Sequence, residues 1–150
     1  MTFQEYKLLS QQAVALIDDE SDLVANLANL SALLNMNLEN INWVGFYLLK
    51  DQQLVLGPFQ GMPACIRIPL DRGVCGKAFS SNSIQRVADV DQFAGHIACD
   101  ANSQSEIVLP ISLQGVPALI LDIDSPIKNR FTQEDQDGLA YLVEKIQAHL

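Results

Sequence analysis

Three carboxylates and three thiols in this sequence have the types and spacing to do chemistry. Asp122 and Asp124 stand two apart in an apolar run, with Leu119-Ile120-Leu121 before them and Ile123 between them. Side chains two apart on a strand share one face. Glu106 stands just ahead of a second apolar run, Ile107-Val108-Leu109. Acids beside core strands are costly to bury unless they bind a cation or keep a proton through burial and mutual repulsion. The alternative places Asp122 and Asp124 at a frayed strand exit, ahead of the Ser125-Pro126 turn.

The thiols Cys65, Cys75 and Cys99 all fall within residues 65–99. An odd number makes a poor structural disulfide framework, so they are either small buried hydrophobes or thiols with redox work. Cys75 follows Gly73 at the start of an expected helix, whose dipole would lower its pKa. Cys99 follows Gly95 and His96 and precedes Asp100; the imidazole favours a thiolate and the carboxylate opposes it. His96 reads as a loop-stabilising residue rather than a catalytic base, and His149 as a surface residue of the tail. Cys65, Cys75, Cys99 and His96 would make a Cys3His zinc set, but their gaps resemble no compact metal knuckle and no C-x2-C occurs. No G-x-S-x-G turn is present for a serine nucleophile. No metal is expected.

The elements that must position these residues follow from the hydrophobic pattern. Tyr6, Leu9, Ala13 and Leu16, then Leu23, Leu27, Leu30 and Leu34, recur at spacings of three and four, giving two amphipathic helices broken at Asp18-Asp19-Glu20-Ser21. Trp43–Leu49 and Leu54–Leu56 form a hairpin, with Gly57-Pro58 ending its second strand or marking an edge. Short strands are expected at 65–68 and 84–87, a brief helix at 73–79, and a long loop at 89–103. Ser105–Leu113 and Val116–Ile123 make a second hairpin through Gln114-Gly115. A last helix begins at Thr132, with Asp135 at capping-box spacing, and buries Leu139, Leu142, Val143 and Ile146. Hairpins flanked by terminal helices give an α+β fold. It is read as one domain over residues 1–150: a central antiparallel β-sheet, N- and C-terminal helices on one face, and a loop-covered pocket on the other.

Composition narrows the function. The chain has 150 residues, 49% hydrophobic, with 9 basic against 18 acidic side chains and a net charge of −9. That apolar content supports a packed core and argues against disorder. The acidic field and missing basic stripe exclude a nucleic-acid partner, and no apolar run reaches the ~20 residues of a membrane span. The first residues carry neither the basic patch nor the apolar run of a signal peptide, so a cytoplasmic location is expected. The apolar helix pair between Tyr6 and Leu34 would either cover its own sheet or serve a homodimer.

From Asn42 to Leu142 the sequence resembles the free methionine-(R)-sulfoxide reductases, which are built on the GAF domain. The likeness rests on Asn42-Trp43-Val44-Gly45-Phe46-Tyr47, Leu56-Gly57-Pro58-Phe59-Gln60-Gly61 and Cys65-Ile66-Arg67-Ile68-Pro69. It continues through Arg72-Gly73-Val74-Cys75-Gly76, Gly95-His96-Ile97-Ala98-Cys99-Asp100, Ser103-x-Ser105-Glu106-Ile107-Val108 and Leu121-Asp122-Ile123-Asp124-Ser125-Pro126. Three positions depart from the family: Ala94 where Pro is usual, Asp71 where Gly is common, and Leu119 where Gly would leave more room beside a neighbouring strand. None removes a functional side chain.

The resemblance implies reduction of free methionine-(R)-sulfoxide by Cys99 as nucleophile. It implies Cys65 and Cys75 as recycling partners, with Cys65 the first choice for the main one and their order of reaction open, with no bound cofactor and with thioredoxin and NADPH as the external reductant. It also implies that Trp43 and Tyr47 wall the methyl-thioether end, where core packing is the plainer reading of both. Glu106, Asp122 and Asp124 would form the acidic cluster. The chemistry needs an acid to protonate the sulfoxide oxygen, for which Glu106 and Asp124 are the candidates, while Asp122 suits the substrate ammonium. The competing readings are a GAF module that binds a small ligand without turnover, and a thiol redox sensor without a substrate.

Overall fold

The expected stripes do form the helices, with one exchange of register. The computed structural model describes every residue except Ala98, which lies in the Gly95–Asp100 motif. Helix α1 spans Phe3–Ile17 and α2 spans Leu23–Asn37. Tyr6, Leu9 and Ala13 are buried as expected, but Leu16 is 43% exposed and Ile17 takes its place in the core. Both residues stand at helical spacing from Ala13, so the register is decided by what the helix packs on. Thr2 and Glu5 form a capping box at the start of α1, and Asp22 caps α2 by accepting from the Ala25 amide.

A six-stranded sheet follows, built from β1 (Trp43–Lys50), β2 (Gln53–Gly61), β3 (Arg67–Pro69), β4 (Gln85–Val87), β5 (Ser105–Leu113) and β6 (Val116–Ser125). The strand order is β3-β2-β1-β6-β5-β4, with every neighbouring pair antiparallel. Gly57-Pro58 does not end β2: the strand runs on to Gly61 past a register shift between Gly45 and Tyr47 of β1. Two residues of β2 stand opposite the one residue Phe46, which is a β-bulge. β3 reaches only Gln53–Val55, so Pro58 lies on an open edge where its missing N–H costs no ladder bond. The short helix α3 spans Gly73–Ser81, a 3₁₀ turn spans Val90–Gln92 within the expected loop, and α4 spans Gln133–Gln147 behind its Thr132–Asp135 capping box.

Strand alternation divides the interior in two. Val44 and Phe46 of β1, Ile107, Leu109 and Ile111 of β5, and Leu119, Leu121 and Ile123 of β6 face α1, α2 and α4. Leu119 is fully buried in that layer and causes no break in the pairing of β6 with β1. The opposite parity sends Trp43, Tyr47, Val108 and Ile120 to the other face, under α3, β3 and the loops between them. The helix layer is locked by Asp135, which accepts from the Tyr6 hydroxyl at 2.6 Å and pairs with Arg130 at 3.1 Å. Of the helix pair, α2 packs on β1 and β2, and α1 packs on α4 and α2. Among the described residues, no helix is long and apolar enough to cross a membrane.

Candidate active site

On the face away from the long helices, strand register assembles the acids. Trp43 lies opposite Asp124 across β1 and β6, and Asp124 lies opposite Glu106 across β6 and β5. The next row on this face is Gly45, Asp122 and Val108. The two aspartates are therefore part of the strand interior, not its frayed exit. Glu106 and Asp122 are each only 6% exposed. Gly45 leaves room for the row beside it: a Cβ there would overlap Phe59 and come within 2.8 Å of the Trp43 ring. The indole lies over this space, stacked on Tyr47 at 5.9 Å and on Phe59 at 5.2 Å. Trp43 and Tyr47 thus belong both to the core and to the pocket wall.

All eight residues singled out from the sequence line or adjoin one cavity. Trp43, Tyr47, Cys75, Cys99, Glu106, Asp122 and Asp124 line it, and Cys65 enters through its disulfide with Cys99. The Cys65–Cys99 bond joins the segment before β3 to the loop after the 3₁₀ turn, with Cα atoms 5.3 Å apart. It engages two of the four donors in the Cys3His set. Cys75 is a free, buried thiol whose Sγ donates to Glu106 Oε2 at 3.9 Å. The expectation that the helix dipole lowers the Cys75 pKa is overturned: burial, then Asp122, Glu106 and Asp124, push the thiol well up. A helix terminus carries about half a charge, which three adjacent acids and a dry site outweigh.

The carboxylates are pushed the same way. Burial raises Glu106 well above the usual range, and Asp122 and Asp124 add to it through charge repulsion. Asp124 is raised by burial and by Asp122. Burial also raises Asp122, although bonds from Glu106, Cys75 and Asp124 oppose this. Acids this close do not all ionise together, so the cluster keeps protons to higher pH than isolated carboxylates do. The Cys75, Glu106 and Asp122 ligand atoms lie within 4.8 Å of one another, the spacing of a metal site, and a cation there would have to displace their protons.

Several functional contacts had no sequence signal. Asn42 Nδ2 donates to Asp100 Oδ2 at 2.8 Å and to Ser103 Oγ at 3.2 Å, tying the loop that carries Cys99 to the start of β1. The Tyr47 hydroxyl donates to the Cys65 carbonyl at 2.8 Å, and Trp43 Nε1 to the Met62 carbonyl at 3.1 Å. His96 lines the cavity with Nε2 4.0 Å from Glu106 Oε1. Among the described residues, Asn42 Oδ1, Asp122 Oδ1 and Asp124 Oδ1 are buried oxygens with no hydrogen-bond partner. Buried acceptors without donors are costly, and of these three residues Asp122 and Asp124 line the cavity.

Comparison with known proteins agrees with this geometry. The GAF-domain family matches residues 15–150. The chain is 54% identical to the free methionine-R-sulfoxide reductase of Escherichia coli, over 95% of its own length and 86% of that protein's. It superposes on the reduced form of Staphylococcus aureus fRMsr with a TM-score of 0.94 at 55% identity, covering 100% of this chain and 96% of that one. A Neisseria meningitidis free methionine-R-sulfoxide reductase in complex with its substrate gives a TM-score of 0.92 at 40% identity, over 98% and 89% of the two chains. From the matched span, the identity over nearly its whole length and the close superposition, this chain belongs to the GAF-domain family and, within it, to the free methionine-R-sulfoxide reductases, which are oxidoreductases.

Proposed function

We propose that the protein reduces free L-methionine-(R)-S-oxide to L-methionine, with Cys99 as nucleophile and Cys65 as the resolving thiol. The observation that carries this reading is the Cys65–Cys99 disulfide in the wall of a cavity whose buried carboxylate oxygens lack donors. An ammonium offers three N–H groups, and Asp122 and Asp124 each present an unpartnered oxygen. The substrate's methyl group then lies against Trp43 and Tyr47.

The Cys99 thiolate attacks the sulfoxide sulfur, and Glu106 or Asp124, kept protonated by burial and by its neighbours, delivers a proton to the sulfoxide oxygen. The oxygen passes to Cys99 as a sulfenic acid, and methionine leaves as the thioether. The Cys65 thiol displaces that oxygen as water and forms the disulfide. An external dithiol, of which thioredoxin is the candidate, takes the oxidising equivalents and restores both thiols. With the disulfide closed, the cavity is about 30 Å³, room for one or two waters. The substrate therefore enters the reduced form.

The test supplies the purified protein with thioredoxin, its reductase and NADPH, and adds the free R epimer, the free S epimer and an N-blocked R sulfoxide in parallel. NADPH consumption with the free R epimer alone supports the reading. Equal turnover of the blocked substrate refutes the ammonium site. No turnover of any of the three by folded, reduced protein refutes the activity and favours a ligand-binding module.

A further inference from the structure

A free amino acid brings a negative charge into this pocket as well as a positive one. Four of the residues lining the cavity, Asp100, Glu106, Asp122 and Asp124, are carboxylic acids. No lysine or arginine lines it, and His96 is the one lining side chain among the described residues that can carry a positive charge. The substrate's carboxylate must therefore be received somewhere in a pocket of its own sign.

Covalent geometry limits where that is. In an α-amino acid the carboxylate carbon is about 2.5 Å from the amino nitrogen. Whatever receives the carboxylate must lie within one residue's width of the acid row that receives the ammonium. His96 Nε2, 4.0 Å from Glu106 Oε1, meets this condition. The other ring donors nearby are committed: Trp43 Nε1 to the Met62 carbonyl and the Tyr47 hydroxyl to the Cys65 carbonyl. The Cys99 amide is likewise bonded to the Ile97 carbonyl at 3.0 Å.

We propose that His96 is a specificity-determining residue, forming with Glu106 and the aspartates a paired subsite in which the imidazole takes the α-carboxylate of the free amino acid. This deepens the proposed function and rests on it. Selection for free over peptide-bound sulfoxide then has two components: the acids require an unblocked amine, and His96 requires an unblocked carboxyl. His96 acts in binding and moves no proton in the reaction.

The experiment compares free methionine-R-sulfoxide with its α-amide, which keeps the ammonium and loses the carboxylate charge, on the wild-type protein and on His96→Ala and His96→Gln. A charge-assisted hydrogen bond predicts a KM for the free acid raised roughly ten- to a hundredfold in His96→Ala, with kcat little changed. The KM for the amide should move by no more than about twofold. His96→Gln, whose amide nitrogen reaches the position of Nε2, should recover part of the loss for the acid alone. Equal losses for acid and amide would make His96 a structural residue, and unchanged KM values would assign the carboxylate to backbone amides; either result overturns the proposal. Failure of the wild-type protein to turn over the free acid would instead refute the activity itself. Should His96→Ala not fold, the acid-to-amide ratio in His96→Gln alone decides.

Discussion

The Tyr47 hydroxyl donates to the main-chain carbonyl of Cys65 at 2.8 Å, so one aromatic ring walls the cavity and also holds the backbone of a disulfide cysteine. The two functions separate in Tyr47→Phe, which keeps the ring and loses the hydrogen bond. Substrate KM should be little changed. Disulfide closure should slow by roughly two- to tenfold, the kinetic equivalent of one ordinary hydrogen bond. Single-turnover mixing, with the sulfenic acid trapped by a dione reagent, measures this directly.

The three cysteines should separate by what each leaves behind. Cys99→Ser should release no methionine from the R sulfoxide. Cys65→Ser should release about one equivalent and stop as a trappable sulfenic acid, because the oxygen has been transferred and cannot be displaced. Cys75→Ser should still form the Cys65–Cys99 bond within one turnover, since its thiol is bonded to Glu106 and held neutral. Quantified methionine and intact-protein mass distinguish the three. A Cys75→Ser variant that stalls as a sulfenic acid would reassign the resolving role.

Stability should depend on pH with opposite signs in the two layers. The folded pKa values of Glu106 and Asp124 lie above their unfolded values, so the folded state binds more protons than the unfolded one between those values. Their contribution is fully present below the unfolded pKa and is lost as pH rises through the folded pKa. Glu106→Gln should therefore flatten the fall in stability on the alkaline side. Asp135 runs the other way. Burial would raise it, but bonds from Thr132 and Tyr6 and the charge of Arg130 outweigh burial and hold it low. Its contribution is present above the unfolded pKa and is lost as pH falls through the folded one, so Asp135→Asn should flatten the acid limb. Urea denaturation at a series of pH values tests both.

Gly138 should tolerate no side chain. A Cβ there would overlap the ring of Tyr6, whose hydroxyl is fixed on Asp135. Gly138→Ala should cost on the order of 1–3 kcal/mol by overpacking, despite alanine's higher helix propensity. The loss should be read in thermal unfolding, with the acid row and its chemistry unaffected.

What the sequence makes legible here is what is periodic or local. Ser105–Leu113 is a strand to the residue, because its apolar run has strand length and Gln114-Gly115, both at positive φ, form the tight turn that joins it to the next strand. The same period places Asp122 and Asp124 on one face, but Glu106 comes opposite Asp124 only through a register shift between Ile111 and Ser112, which no turn rule supplies. The contacts that finish the site are long-range: Asn42 meets Asp100 across 58 positions, and Tyr6 meets Asp135 across 129. No spacing rule reaches them. The Cys75 expectation failed for a related reason. A helix terminus can be read from neighbouring residues, but the acids that outweigh it come from two distant strands.

The disulfide also has a thermodynamic consequence. Its sulfurs belong to residues 34 positions apart, and the ring it closes contains both edge strands, β3 and β4, together with α3 and the 3₁₀ turn. Cross-linking a loop of this length removes chain entropy worth roughly 4 kcal/mol from the unfolded ensemble. On the proposed mechanism the disulfide form is thus the tethered and thermally hardier one, and its reduction should free this segment before the next substrate enters. The melting temperature should fall when the dithiol partner acts, so the protein's own heat resistance records where it stands in the catalytic cycle.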